Sequence, residues 1–178
     1  NTYYDFSDIY NEKESIPVIQ YYGKNEYSDQ TFMFWIKKHS NITNYKKVKN
    51  ISFVDDKIKI NFNVIPPNLK VGQYLAINDN NKIVGAIGIR WKQVPVLMVF
   101  GGLIGYSVRP SQRGKGYASE MLKLALDKFK NTNIENILIT CKDFNIASKK
   151  VIEKNGGICE NTYSNDDGYT YLRYWIKI

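Results

Sequence analysis

The chain has 178 residues, 43% of them hydrophobic, which suits one domain with a sizeable core and excludes a disordered chain. No apolar run reaches membrane-span length, the opening Asn-Thr-Tyr-Tyr-Asp lacks a signal-peptide layout, and the absent initiator Met reads as a processed or trimmed start. The net charge of +8 comes from lysines spread along the chain, so it reads as a solvated surface rather than a nucleic-acid footprint.

In chain order, Tyr3, Tyr4, Phe6 and Ile9 predict a short helix. Phe32, Met33, Trp35 and Ile36 recur at near-helical spacing, and Lys37-Lys38-His39 suits a helix C-terminus with His39 exposed. Residues 51–65 alternate around Asp55-Asp56-Lys57, which predicts a hairpin that Pro66-Pro67-Asn68 breaks. A second hairpin is predicted from Tyr74–Ile77 and Ile83–Ile89, apolar runs flanking an Asn/Asp cluster. Gly85 and Gly88 in it would allow close packing or a bulge. Val94–Phe100 reads as a loop or an added edge element.

The chain is organised around the stretch that follows. Leu103–Val108 has the length and β-branching of a buried strand. Ala118, Met121, Leu122, Ala125, Leu126 and Phe129 form the stripe of an amphipathic helix. Between them lies Arg109-Pro110-Ser111-Gln112-Arg113-Gly114-Lys115-Gly116, a basic glycine loop feeding a helix N-terminus, which is a place for phosphate. The Walker pattern fails because Lys115 precedes Gly116, and the dinucleotide fingerprint fails because its third glycine position is Ser119. Asn136–Cys141 reads as a second buried strand, which predicts a βαβ unit with parallel pairing. Asp143 or Asn145 would cap a helix with Ala147, Val151 and Ile152 on its apolar face, ended by Asn155-Gly156-Gly157. Tyr169–Ile178 alternates and closes the sheet after a turn at Ser164–Gly168. Cys141, Cys159 and His39 have no metal-ligand spacing, and two thiols fit a reducing cytoplasm.

Two motifs carry a resemblance. Arg113, Gly116 and Ala118 give Arg-x-x-Gly-x-Ala, and Asn145, Ser148 and Gly156 give Asn-x-x-Ser…Gly one helix and one strand later. Together they resemble the coenzyme loop and closing helix of the GNAT family, the Gcn5-related N-acetyltransferases. Gly101–Ser111 and the ending Arg173-Tyr174-Trp175-Ile176 are similar to an uncharacterised bacterial subgroup, which usually has His in place of Leu103. The resemblance implies one α/β domain over 1–178: a mixed, mostly antiparallel sheet of six to seven strands, helices on both faces and one splayed parallel pair. Residues 1–72 would shape the acceptor side and 73–178 would form the coenzyme A core.

It also implies a cytoplasmic acetyltransferase that moves acetyl from acetyl-CoA directly to the amine of a small molecule or peptide. No metal, nucleic acid or membrane is expected, and the protein would be a monomer or homodimer. Val108 would bind pantetheine through its backbone; Arg113, Gly114, Lys115, Gly116, Tyr117, Ala118 and Ser119 would hold pyrophosphate; Asn145 and Ser148 would close the site. Two family features are missing. The tyrosine that protonates the leaving thiolate would fall at Ile152, and the carboxylate base would fall near Gly102. Tyr106, Tyr163 and Glu160 are the remaining catalytic candidates, and Cys141, without a histidine beside it, reads as a buried structural thiol. The missing groups also motivate a second reading, a noncatalytic coenzyme-A-binding or regulatory module.

Overall fold

A computed structural model describes residues 3–5, 46–54, 56–65, 70–80, 82–99, 101–164 and 168–178. The helix expected at Phe32–His39, the exposure of His39, the break at Pro66-Pro67-Asn68 and the tip of the turn at 165–167 lie outside the described residues.

The N-terminus corrects the sequence reading: Tyr3–Asp5 is a strand, β1, not the start of a helix. It pairs antiparallel with Tyr74–Ala76 of β4 (Val71–Ile77), because tyrosines suit a pleated edge and the neighbouring strand supplies the ladder. The first expected hairpin is present as β2 (Lys46–Val54) and β3 (Lys57–Ile65), with β2 beginning at Lys46 rather than at residue 51. The second is β4 with β5 (Ile83–Arg90), and in its turn Asn78 Oδ1 accepts the N–H of Asn80 and of Lys82. A Cβ on Gly85 would lie 2.7 Å from Met121 Sδ, so this glycine lets a helix press onto β5.

Val94–Phe100 was expected as loop or edge; instead Pro95–Val99 forms a short helix, α1. Pro95 suits its first turn, and Val94 and Leu97 are buried. Next come β6 (Ile104–Val108), a 3-10 turn at Pro110–Gln112, and α2 (Tyr117–Phe129). The predicted stripe on α2 is buried at Met121, Leu122, Ala125, Leu126 and Phe129. Each of the four larger side chains contributes roughly 1.5–3 kcal/mol relative to leaving it exposed, and the Ala125 methyl about 0.8. The chain continues through β7 (Asn136–Lys142), α3 (Ile146–Lys154), β8 (Ile158–Ser164) and β9 (Thr170–Lys177). Gly156, with φ of 86°, ends α3 by a Schellman pattern: Gly157 N–H bonds Ile152 C=O, and Gly156 N–H bonds Glu153 C=O.

Among the described residues, seven strands form two sheets, β1-β4-β5-β6 and β7-β9-β8, and β2–β3 is a separate ribbon. The main core lies between the strands and α2. A smaller cluster of Phe53, Leu75 and Ala86 seats β2 on β4 and β5. The pairing expected between β6 and β7 needs correction: no ladder joins them. They meet near their starts, where the N–H of Leu103, just before β6, bonds Leu138 C=O of β7 at 2.7 Å. Farther along, Tyr106 reaches Ser148, which follows the end of β7. The strands thus run in the same direction and diverge. Ala147 also departs from expectation, because it is exposed. Burial rises from Ala147 through Val151 to Ile152, so the first turn of α3 lifts away from the core beside this opening.

Candidate active site

The glycine loop lies at the open end of the splay. Gly114 and Gly116 have φ of 77° and 86°, values that L side chains avoid. Gly116 is the N-cap of α2, and the first intrahelical bond of that helix is Glu120 N–H to Gly116 C=O. The N–H groups of Tyr117, Ala118 and Ser119 precede that bond and face the loop with the positive end of the helix dipole. Lys115 Nζ donates to Gln112 Oε1, and Arg113 Nε to Val108 C=O. A cleft of about 500 Å³ continues outward, lined by Lys115, Gly116, Tyr117, Ser119, Lys123, Lys154 and Asn155, with one acid, Glu120, among them. Asn155 Nδ2 donates to Ser119 Oγ at 3.1 Å and ties α3 to α2 at that cleft.

The inner wall is the edge of β6. Arg90 N–H bonds Leu103 C=O and Arg109 N–H bonds Val84 C=O, so the odd-numbered residues of β6 bond β5. The backbone groups of Tyr106 and Val108 therefore point away from β5, across the splay. Tyr106 is half-buried; its hydroxyl lies 2.9 Å from Ser148 Oγ and spans from β6 to α3. Burial pushes its pKa up to about 12, so it is protonated at neutral pH. Asn145 caps α3, with Oδ1 accepting the Ser148 N–H at 3.0 Å; the oxygen is thereby engaged, and the carboxamide NH2 is the end that could meet a ligand. Cys141 is buried behind Ser148, and burial raises its pKa to about 11, which makes it a poor nucleophile.

Hydrogen bonds link Arg113 to Val108, and Tyr106 and Asn145 to Ser148, while Lys115, Gly116, Tyr117 and Ser119 line the outer cleft, so these predicted residues adjoin the loop or the β6 edge. Glu160 and Tyr163 do not. Both are on β8, separated from β7 by β9, an order that sequence spacing does not reveal. Glu160 pairs with Arg173 at 3.1 Å and accepts the Trp175 Nε1–H, and Tyr163 packs against the core. Ile152 is fully buried, so it does not face the cleft. A Cβ on Gly102 would lie 2.5 Å from Leu138 C=O, so no carboxylate-bearing residue fits there while the strands meet as they do. The sequence reading missed Lys123 and Lys154, whose helical positions gave no sign that α2 and α3 adjoin. Among the described residues, no three His, Cys, Asp or Glu side chains gather as for a metal, and no helix is long and apolar enough to cross a membrane.

Comparison with known proteins agrees with this geometry. An uncharacterised N-acetyltransferase of Bacillus subtilis, YnaD, is 41% identical over 54 residues, covering 30% of this chain and 32% of the relative. The chain therefore matches about a third of that relative's length. The crystal structure of ribosomal-protein-S5-alanine acetyltransferase from Vibrio fischeri superposes with a TM-score of 0.51 at 20% identity, over 60% of this chain and 61% of the other. That likeness is one of fold. A family model described as an acetyltransferase (GNAT) domain matches residues 2–158, most of the chain, which therefore belongs to the GNAT acetyltransferase family.

Proposed function

We propose that this protein is an acetyl-CoA-dependent N-acetyltransferase that works by direct transfer, with 73–178 as its coenzyme core within a single domain. The observation that supports this reading most is the splay between β6 and β7 with the glycine loop at its mouth. Pantetheine would lie along the β6 edge and bond the backbone of Tyr106 and Val108 as an added strand does. Pyrophosphate would meet Arg113, Lys115 and the N–H groups at the start of α2. Lys123 and Lys154, farther along the cleft, would hold the third phosphate of the coenzyme.

In the reaction a neutral amine forms a C–N bond at the thioester carbonyl, the C–S bond breaks, the nitrogen loses a proton and the thiolate gains one. N–H groups of β6 at the gap would steady the oxyanion. Tyr106 is the candidate best placed to donate a hydrogen bond to the thiolate. Its pKa of about 12 exceeds the roughly 8.5 of an ordinary thiol, so Tyr106 would stabilise the thiolate while water delivers the proton. Tyr106 cannot serve as the base, and the remaining residues of β6 carry no Asp, Glu or His. With no base on β6, the reading favours an amine that arrives already neutral. For an α-amine the rate should level off near about pH 8, whereas for a lysine-like or polyamine nitrogen it should keep rising towards about pH 10.

The test is calorimetry with coenzyme A, followed by thiol release from acetyl-CoA across polyamines, aminoglycosides and peptides. The name of the Vibrio fischeri neighbour adds an alanine-terminated protein to that panel. Binding without thiol release would favour the second reading, a coenzyme-A-binding module, which the burial of Ile152 and the steric bar at Gly102 favour. Absence of binding would overturn both.

A further inference from the structure

Asp56, in the turn between β2 and β3, has no part in the site just described, yet it touches the segment that leads into it. Asp56 is the one non-glycine residue among those described with a left-handed backbone, φ 61°. Its Oδ1 accepts the N–H of Ser111 at 2.7 Å, within the 3-10 turn that opens the glycine loop. Its carbonyl accepts from Arg109 Nη1. Arg109 Nε donates to Ile83 C=O at 2.8 Å, and its guanidinium lies 5.4 Å from the Phe53 ring centre. Phe53 is buried against Leu75 and Ala86. The ribbon is thus anchored on the sheet through Phe53, and its tip grips the segment leading from β6 into the loop. Residues 113–116 are exposed, held within the loop by the Lys115–Gln112 and Arg113–Val108 hydrogen bonds, and a Cβ on Gly114 or Gly116 would touch nothing within 4 Å.

We propose that the β2–β3 ribbon braces the phosphate loop and that Asp56 is a positioning residue for coenzyme binding, acting through Ser111 and Arg109. The proposal rests on the loop being the pyrophosphate site. A loop already held in its binding shape loses less conformational freedom when the coenzyme arrives, and that saving appears as affinity. The carboxylate is suited to the task because the Ser111 hydrogen bonds, with Arg109 and Arg113 nearby, hold its pKa below the usual range, so it is ionised at neutral pH.

Two variants separate the acceptor from the backbone. Asp56→Gly keeps the left-handed conformation without strain and removes the acceptor, while Asp56→Asn keeps an acceptor oxygen in the same place. Each would be measured by calorimetry with coenzyme A and by the rate of tryptic cleavage after Arg113 and Lys115 in the free protein. Asp56→Gly should raise the Kd about tenfold. It should also speed cleavage at both sites several-fold, and leave kcat at saturating acetyl-CoA unchanged. Asp56→Asn should return Kd and cleavage close to the parent values. Parent-like Kd and cleavage in Asp56→Gly would overturn the brace, and failure of Asp56→Asn to restore them would overturn the role of the acceptor oxygen. If the parent does not bind coenzyme A, the proposed function fails and the cleavage rates alone decide whether the ribbon braces the loop.

Discussion

Gly116 offers a test of the phosphate loop that needs no acceptor. It caps α2 at φ 86° and ψ −7°, and an added Cβ would meet nothing within 4 Å. Gly116→Ala should therefore cost backbone strain alone, about 1–2 kcal/mol. For a chain of this size that lowers Tm by roughly 2–8 °C. Gly116→Asp carries the same strain plus a charge, and an acid at a helix N-terminus is itself favourable, so the fold should survive. With two phosphate charges about 5 Å away in water, Coulomb's law gives ~1.7 kcal/mol of repulsion. That is roughly a 15-fold loss of affinity relative to the alanine variant at low salt. At physiological ionic strength, with a Debye length of about 8 Å, the ratio falls to about fivefold. The assay is calorimetry of both variants with coenzyme A at two salt concentrations. Equal Kd values for the Ala and Asp variants at both concentrations would refute the placement of phosphate at this loop.

Tyr106→Phe removes one half-buried hydrogen bond and should lower stability by about 1 kcal/mol. In single-turnover thiol release it should slow the reaction about tenfold, the worth of one hydrogen bond to the leaving thiolate; an unchanged rate makes Tyr106 structural. Ile152→Tyr should not supply the missing acid. Ile152 is 0% exposed and its Cγ2 lies against Gly157, so overpacking by about 1–3 kcal/mol should appear as a lower Tm without faster thiol release. Cys141 gives a pH signature. Burial raises its folded pKa to about 11, above the ordinary thiol value of roughly 8.5, so the unfolded thiol loses its proton first; stability from this group is complete below roughly pH 8.5 and declines as pH rises towards 11. Denaturant midpoints of Cys141→Ala should fall less steeply across that window than those of the parent. Finally, coenzyme A should bind more tightly than dephospho-coenzyme A, and Lys123→Gln with Lys154→Gln should narrow the gap. An equal preference in the parent removes those lysines from the site.

Much of the architecture was legible in local pattern. The stripe of Met121, Leu122, Ala125, Leu126 and Phe129 has helical period, and all five are buried on α2. The Asn/Asp cluster at 78–82 marked a hairpin because Asn side chains bond nearby backbone, as Asn78 does. Gly114 and Gly116 marked a loop in which only glycine adopts the required φ cheaply. Local pattern misled where a neighbour decided the outcome. Tyr3–Asp5 became a strand because β4 presented an edge, and Pro95–Val99 folded as a helix under contacts that include Arg173 Nη2 to Met98 C=O.

The sequence by itself determined that a strand, a basic glycine loop and a helix follow one another, since side-chain period and glycine φ preference are properties of adjacent residues. It also determined where the second motif begins, because Asn145 caps its own helix. Only the tertiary structure decided which side chains share the opening. It placed Tyr106 against Ser148, put β9 between Tyr163 and the splay, and carried Asp56 from a distant ribbon to Ser111. The reason is that strand order, and the direction in which two strands diverge, depend on packing between segments far apart in the chain, and no local period encodes them.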